Sequence, residues 1–329
     1  MGPELLVDCF LNSVGVSRGG RPLRLVAGLE GYFPMIEVPV PTEGSTHDSQ
    51  NIKNTVKAPV SVVIPCYCCS DSIGRAVASI AAQTVLPREV ILVEDASPDG
   101  GRTLAALHDL AGEYGDIFVV AVISMTENGG PASARNRGWM AASQPYIAFL
   151  DADDAWHSRK IEMQYEWMEA HPEYELTGHA YSIQNSDNRE WPALDLGQKV
   201  RPVSKNRSLF SNPFATRTVM LKRNLPFRFK EGKRYAEDYL LWLQILQSGV
   251  PAAFMDMPLA STYKADYGSA GLSERLWEME VGELDSYWEL HREGTIGLLM
   301  VVGLSVYSIA KYMRRVAFVL PRRLNALYA

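Results

Sequence analysis

The chain has 329 residues, of which 47% are hydrophobic, so it is long enough to bury a sizeable core. Its net charge of −6 leaves it without an overall basic surface, which argues against nucleic acid as a partner. The cysteines lack the spacing of a disulfide framework or a zinc site, so we expect reduced thiols in a cytoplasmic protein. They are Cys9, Cys66, Cys68 and Cys69.

The first 57 residues predict an N-terminal extension that ends in a linker. The segment begins with the acidic residues Glu4 and Asp8 and no cation, so a signal peptide is not expected. Prolines interrupt its short apolar runs, and the stretch 42–57 is polar. We assign no function to residues 1–57.

Short apolar runs alternate with amphipathic stretches from residue 58 onward. This alternation predicts an α/β, Rossmann-like domain with a mostly parallel sheet flanked by helices. The predicted strands are 60–64, 89–93, 117–123 and 146–150, and the predicted helices between them are 71–83, 102–111 and 132–142. Ligands bind beyond the carboxyl ends of such strands, where Asp95 and Asp151 would both lie.

The segment after the first strand does not match the common nucleotide-binding loops. It reads Pro-Cys-Tyr-Cys from Pro65, where a dinucleotide-binding enzyme would have Gly-x-Gly-x-x-Gly. A Gly-Lys-Ser/Thr loop is also missing from the sequence. A dinucleotide-dependent dehydrogenase and a P-loop enzyme are therefore disfavoured.

The run Tyr146–Trp156 ends a buried strand in three carboxylates, which belong to Asp151, Asp153 and Asp154. Carboxylate oxygens suit hard divalent ions such as Mg²⁺ or Mn²⁺. On an extended backbone the Asp-x-Asp spacing points Asp151 and Asp153 the same way, so both could face one ligand. The alternative is a solvated acidic turn that caps a helix starting near Trp156.

The next part of the domain continues the alternation less regularly. The pattern predicts helices over 158–169 and 235–247, strands over 174–183 and 252–255, and a polar excursion over the acceptor side at 187–207. Glu237 and Asp238 lie in the first turn of the helix 235–247, where the helix dipole favours negative charge. Simple capping of that helix is the alternative to a functional role.

Residues 274–329 predict a helical C-terminal region. The stretch 274–291 has a helical pattern, 295–310 is uncharged, and five cations but no acidic residue follow Glu293. An apolar segment with a cationic flank is typical of a helix lying on the anionic inner face of the cytoplasmic membrane. A short membrane span and a helix buried in the core or in an oligomer are the alternatives.

Together, these segments carry motifs whose order and spacing resemble family 2 glycosyltransferases of the GT-A type, in particular the bacterial surface-polysaccharide enzymes. The resemblance covers residues 58–273 and includes YIAFLDADDAW at 146–156 and YAEDYLLWLQIL at 235–246. It implies a GT-A fold and inverting transfer of a sugar from a nucleotide-diphosphate donor, usually a UDP-sugar, with a divalent metal (Mn²⁺ or Mg²⁺). It also implies a glycan or lipid-linked acceptor at the inner membrane surface.

The resemblance also assigns roles to individual positions. It implies that Asp238 is the catalytic base, that Asp153 holds the metal, and that Glu94, Glu237 and Lys264 are accessory groups. It implies donor binding by Asp95 at the nucleotide base, by Pro65 and Tyr67 around the nucleoside, by Asp151 at the ribose, and by Arg135 and Asn136 nearby. The sequence departs from the family pattern at Cys68, where asparagine is common, and at Glu94, where aspartate is common.

Two rival functions use the same features. A nucleotidyltransferase would release pyrophosphate, but this chain lacks a glycine-rich, basic loop after its first strand. A non-catalytic, membrane-associated binding protein would have no need of its acidic residues. The chain has all four aspartates that the family resemblance assigns to the site, which argues against a non-catalytic protein. They are Asp95, Asp151, Asp153 and Asp238.

Overall fold

A computed structural model describes residues 57–184, 191, 199–263 and 275–327, with the backbone alone for 318–327. Residues 1–56 of the predicted extension, most of the first half of the polar excursion, and Lys264 lie outside this range. The predictions made for them stay predictions.

The described chain folds into one mixed sheet flanked by helices. The strands are β1 (Lys57–Cys66), β2 (Leu86–Glu94), β3 (Val119–Ser124), β4 (Tyr146–Phe149), β5 (Ala155–Trp156), β6 (Leu176–Ile183), β7 (Val200–Pro202), β8 (Met220–Lys222) and β9 (Ala252–Thr262). The helices are α1 (Ile73–Ala81), α2 (Arg102–Tyr114), α3 (Gly130–Ala141), α4 (Lys160–Ala170), α5 (Lys205–Ser208), α6 (Glu237–Gln247), α7 (Leu276–Arg292) and α8 (Leu298–Leu327), with a 3₁₀ helix at Thr216–Thr218.

The sheet has the order β3-β2-β1-β4-β8-β6-β9-β5, with β7 paired to β9. Its first four strands are parallel, as the apolar runs predict. Its other half is mixed, because β8 runs antiparallel to β4 and β6 while β6 and β9 are parallel. Strands β2 and β3 are added on one side of β1, whereas β4 is added on its other side. Such a switch point between β1 and β4 opens a crevice at the carboxyl ends of the strands.

Each face of the sheet buries its own apolar cluster, because successive side chains of a strand point to opposite faces. Val62 and Ile64 of β1 join the cluster under α1, α2 and α4, while Val63 joins the cluster under α3 and α6. Helix α3 lies very close to the sheet at Gly138, where an added Cβ would be 2.3 Å from Cγ1 of Val63. Only glycine fits there, so Gly138 sets the position of the helix that carries Arg135.

The predicted helix 158–169 is present as α4, but the alternative reading, in which a helix starts near Trp156, is wrong. Ala155 and Trp156 instead form β5, which pairs antiparallel with Ser261 and Ala260, and α4 begins four residues later at Lys160. The predicted strand 252–255 is also longer, because β9 pairs with β6 along most of its length and ends at Thr262. In both places long-range strand pairing decided the structure, and local pattern does not report it.

The C-terminal helices pack on the rest of the protein. Tyr287 and Leu290 of α7 and Val301 and Leu304 of α8 share a buried cluster with α6. Within the described residues we find no helix that combines the length and apolar character needed to cross a membrane.

Lys160 is fully buried at the start of α4, with its Nζ atom 3.8 Å from the centroid of the Trp156 ring. Among the described residues its Nζ atom has no hydrogen-bond partner. Burial therefore lowers the pKa of Lys160 well below its usual value of 10.5. The unfolded chain binds this proton more readily, so stability should rise with pH between the folded pKa and 10.5.

Lys160→Met should stabilise the protein, because methionine fills the same space without a group that loses hydration. We expect a gain of about 1–3 kcal/mol in the free energy of unfolding near neutral pH, measured by chemical denaturation. The rise of stability with pH should also flatten in this variant. The exposed Lys205→Met is the control and should change little. A less stable Lys160→Met variant would show that the contact with Trp156 outweighs the burial penalty.

Candidate active site

A cavity of about 390 Å³ lies at the carboxyl ends of β1, β2 and β4. This is the size of a small-molecule site. Six residues predicted from the sequence line it: Pro65, Tyr67, Asp95, Arg135, Asp151 and Asp153. Asn128 and Arg234 also line it, and Arg234 donates to Oδ1 of Asn128 over 3.0 Å.

Asp95 is buried just after β2 and organises the loop before α3. Its Oδ1 accepts from the Gly129 N–H (2.8 Å), and its Oδ2 accepts from the Gly130 N–H (2.9 Å) and from Nδ2 of Asn128 (3.0 Å). Burial raises the pKa of Asp95, and the two backbone donors oppose this effect. A carboxylate has about four acceptor sites, so these bonds leave capacity for one further donor from a ligand.

The two positions that depart from the family pattern lie in adjoining loops. Glu94 accepts from the backbone N–H groups of Ala96 (3.2 Å) and Ser97 (2.6 Å), which holds the turn after β2. The backbone N–H of Cys68 donates to Oγ of Ser97 over 2.9 Å, which ties the loops after β1 and β2 together. Glu94 is therefore engaged in loop structure and is not among the residues that line the cavity.

The acidic segment after β4 forms a turn, so its predicted extended backbone is wrong. The N–H of Asp154 donates to the carbonyl of Asp151 over 3.1 Å, and Asp151 and Asp153 still reach the same cavity. Asp154 points inward, is 1% exposed and pairs with Nη1 of Arg217 at 2.7 Å. Only two of the three carboxylates, those of Asp151 and Asp153, therefore face the cavity.

Arg135 joins the cavity to the start of α6. Its Nη2 lies 2.7 Å from Oδ1 of Asp151 and its Nη1 lies 2.9 Å from Oε1 of Glu237, with the guanidinium 5.4 Å from the centroid of the Phe229 ring. Burial alone would lower the pKa of Arg135, but these two carboxylates outweigh burial and raise it. Arg135 is thus a permanent cation between two acidic groups from distant segments.

Glu237 and Asp238 do more than cap α6. Asp238 is half-buried, and its Oδ2 accepts from Oγ1 of Thr216 (3.1 Å) and lies 3.5 Å from Nδ2 of Asn212. Burial raises the pKa of Asp238, while Arg135 opposes the rise. Burial and the neighbouring Asp238 also raise the pKa of Glu237 to about 7, against the effect of Arg135. Both residues therefore belong electrostatically to the cavity that contains Asp151.

Asn136 is placed differently from its neighbour Arg135. Its side chain is buried, donating to the carbonyl of Phe229 (2.8 Å) and accepting from the Phe229 N–H (3.0 Å). It is not among the residues that line the cavity. The sequence does not single out Thr216, Arg217 and Asn212, because they lie in a segment without periodicity or a recognisable motif.

The acidic residues at the cavity fit only a divalent-metal site that other ligands complete. Within the described ranges no group of three or more His, Cys, Asp or Glu residues is arranged to hold an ion. Mg²⁺ and Mn²⁺ sites at phosphate substrates commonly use one or two carboxylates and complete the shell with phosphate oxygens and water. Asp151 and Asp153 fit such a shared site, but an all-protein metal cage does not fit.

The chain is similar in sequence to known bacterial glycosyltransferases. The chain is 29% identical over 212 residues to the UDP-Glc:alpha-D-GlcNAc-diphosphoundecaprenol beta-1,3-glucosyltransferase WfgD of Escherichia coli, covering 64% of this chain and 78% of WfgD. It is 30% identical over 217 residues to the amylovoran biosynthesis glycosyltransferase AmsB of Erwinia amylovora, covering 61% of this chain and 68% of AmsB.

The fold is similar to a solved structure and confirms the predicted GT-A fold. The mannosyltransferase PcManGT from Pyrobaculum calidifontis, in complex with GDP-Man and Mn²⁺, aligns with a TM-score of 0.56 and 18% identity over 83% of this chain and 81% of that one. The family model for glycosyl transferase family 2 matches residues 61–233, which is more than half of the chain. The protein therefore belongs to glycosyl transferase family 2, and it is a glycosyltransferase.

Proposed function

We propose that the protein is an inverting glycosyltransferase that moves a sugar from a UDP-sugar to an acceptor hydroxyl on a growing glycan or lipid-linked oligosaccharide. The proposal is carried by the two ion pairs of Arg135, with Asp151 and with Glu237. Through them the Glu237–Asp238 pair lies beside the cavity that contains Asp95 and Asp151. A nucleotide-sugar in the cavity would thus have a carboxylate next to its reacting end. The proposed GT-A glycosyltransferase domain spans residues 58–273.

Asp238 is proposed as the catalytic base. Inversion requires the acceptor hydroxyl to attack the anomeric carbon on the side opposite the leaving diphosphate, and a positioned carboxylate takes the hydroxyl proton. Thr216 donates a hydrogen bond to the Asp238 carboxylate. Burial raises the pKa of Asp238, which makes this carboxylate a stronger base. Arg135 balances the negative charges of Asp151 and Glu237 while Asp238 accepts the proton.

The donor would lie with its nucleotide base near Asp95 and its diphosphate near the acidic turn. Asp95 has one acceptor site left for a base N–H, and the exposed Tyr67 ring lies at the same cavity. Asp151 and Asp153 would hold a divalent metal, which would neutralise negative charge on the leaving diphosphate. The UDP-glucose donor named for WfgD and the Mn²⁺ named for PcManGT support this assignment.

A donor screen tests the proposal. Purified protein with Mn²⁺ would be offered UDP-, GDP- and dTDP-sugars, with and without lipid extracts as acceptor, and nucleotide release would be measured. We expect UDP release from one sugar, and loss of that release with EDTA and in Asp153→Ala. Release of pyrophosphate instead would support a nucleotidyltransferase. Metal-dependent nucleotide binding without turnover, even with acceptor, would support a non-catalytic binding protein.

We also propose that α8 rests on the inner face of the cytoplasmic membrane. Its inner side is packed on α6 and α7, but its outer side exposes Leu299 (89%), Val306 (65%) and Met313 (61%), which are spaced by seven residues and so share one face. The cations that follow this face in sequence would favour anionic lipid headgroups. WfgD acts on a lipid-linked acceptor, and an enzyme with such a substrate works at a membrane surface.

Glutamate at both Leu299 and Val306 should abolish this association, because two apolar side chains that would enter the lipid become charged. In vesicle co-sedimentation we expect the wild type to bind phosphatidylglycerol vesicles and the double variant to bind at least about 10-fold less. These outward substitutions leave the packed residues Val301 and Leu304 intact, which deletion of 295–329 would not. Met140→Glu, at an exposed position of α3, is the control. Wild-type protein that dimerises and ignores vesicles would favour an oligomer contact.

A further inference from the structure

The 3₁₀ helix Thr216–Thr218 contacts both halves of the candidate active site through adjacent residues. Oγ1 of Thr216 donates to Oδ2 of Asp238 over 3.1 Å. Nη1 of Arg217 donates to Oδ2 of Asp154 over 2.7 Å, in the acidic turn that carries Asp151 and Asp153. Arg217 does not line the donor cavity. Its position therefore calls for an explanation other than direct contact with the donor.

Asp154 links this contact to the shape of the acidic turn. Its side chain is 1% exposed, and the Arg217 guanidinium, with 19% of its side chain exposed, supplies the compensating charge. The N–H of Asp154 also donates to the carbonyl of Asp151, so fixing the Asp154 side chain fixes the turn itself. Removing one partner of a buried pair leaves the other charge uncompensated.

The 3₁₀ helix is itself held in place, so it can serve as a rigid support. Nε1 of Trp156 donates to the carbonyl of Arg217 (2.8 Å), and Nε2 of Gln164 donates to the carbonyl of Thr218 (3.0 Å). On the other side of the turn, Nη2 of Arg75 donates to the carbonyl of Asp153 (2.6 Å). Small displacements of reacting groups have large effects on rate, so such support has consequences for catalysis.

We propose that Arg217 is a positioning residue. Through its ion pair with Asp154 it holds the acidic turn at a fixed distance from Asp238. The adjacent residue, Thr216, holds the Asp238 carboxylate itself. The proposal rests on the proposed function, since it concerns the geometry between the donor diphosphate and the base. Arg217 acts through Asp154 and does not touch the substrate. Its role is distinct from that of Arg135, which contacts the cavity.

The test compares Arg217→Met, Arg217→Lys and the control Arg201→Met, which removes a partly exposed pair with Asp256. UDP binding would be measured by calorimetry with and without Mn²⁺, together with kcat and the donor KM. We expect Arg217→Met to weaken Mn²⁺-dependent UDP binding and raise the donor KM by about 10–100-fold. Metal-free UDP binding should stay unchanged, because Asp95 and Tyr67 are untouched, and Arg217→Lys should recover much of the loss.

A second variant keeps the test decisive if Arg217→Met misfolds. Arg217→Met combined with Asp154→Leu removes both charges, which often preserves or improves stability, yet it also removes the link to the turn. We expect this folded double variant to keep the same defect in Mn²⁺-dependent binding. If either folded variant keeps the wild-type donor KM and the wild-type Mn²⁺-dependent UDP binding, this inference is overturned while the proposed function stands. A wild-type protein that neither binds UDP with Mn²⁺ nor releases it would overturn the proposed function, and the inference with it.

Discussion

Asp238→Asn should reduce sugar transfer by about 10²–10⁴-fold, which is the usual contribution of a general base. Asparagine has the shape of aspartate but cannot take the proton of the acceptor hydroxyl. Because Asp238 is not among the residues that line the donor cavity, the affinity for UDP should remain within about twofold of the wild type. Transfer would be followed as UDP release in the presence of acceptor, and binding by calorimetry.

The control for this prediction is Asp109→Asn, which removes an exposed carboxylate on α2. It should leave both turnover and binding unchanged. Turnover close to the wild type in Asp238→Asn would rule out Asp238 as the base and would direct attention to Glu237. Loss of UDP binding together with turnover would mean that Asp238 shapes the donor cavity instead.

Arg135→Met should destabilise the fold by about 3–5 kcal/mol, the usual effect of removing one partner from a buried ion pair. It leaves Asp151 and Glu237, whose side chains are 27% and 10% exposed, without their shared cation. The pKa of Glu237, already raised to about 7, should rise further. The folded state then binds this proton more tightly than the unfolded chain does. The loss of stability should therefore be larger at pH 8 than at pH 5.

Denaturant unfolding at the two pH values measures this effect. Arg102→Met, which removes a cation that is 71% exposed and 3.8 Å from Asp71, is the matched control and should change stability little. Arg135→Lys should fall between the wild type and Arg135→Met, since lysine keeps the charge but cannot bridge two carboxylates in the same way. A fully stable Arg135→Met variant would show that the two carboxylates find compensation elsewhere.

The cavity illustrates which features could be predicted from sequence. Asp95 and Asp151 each directly follow a buried strand, and parallel strands bring their carboxyl ends to one edge. Their meeting in one cavity therefore follows from the order of elements along the chain. Pro65 and Tyr67 were implied by the family resemblance and Asp153 by the Asp-x-Asp spacing, and all three also lie within a few residues of such a strand end.

The ion pairs illustrate the features that could not be predicted. Arg135 meets Glu237 across 102 positions of sequence, and Arg217 meets Asp154 across 63. Nothing in the local pattern of charges distinguishes these partners from other arginines and acids. The inward orientation of Asp154 likewise depends on the turn after β4, which forms where β5 pairs with β9.

The sequence by itself determined the family, the parallel half of the sheet and the residues at its carboxyl edge. These depend on side-chain periodicity and on short motifs, which act over a few residues. Only the tertiary structure decided which carboxylates face the cavity, which are neutralised by arginine, and what holds Asp238 in place. Those outcomes depend on burial and on distances between segments far apart in the chain, and both arise only when the sheet and helices have packed.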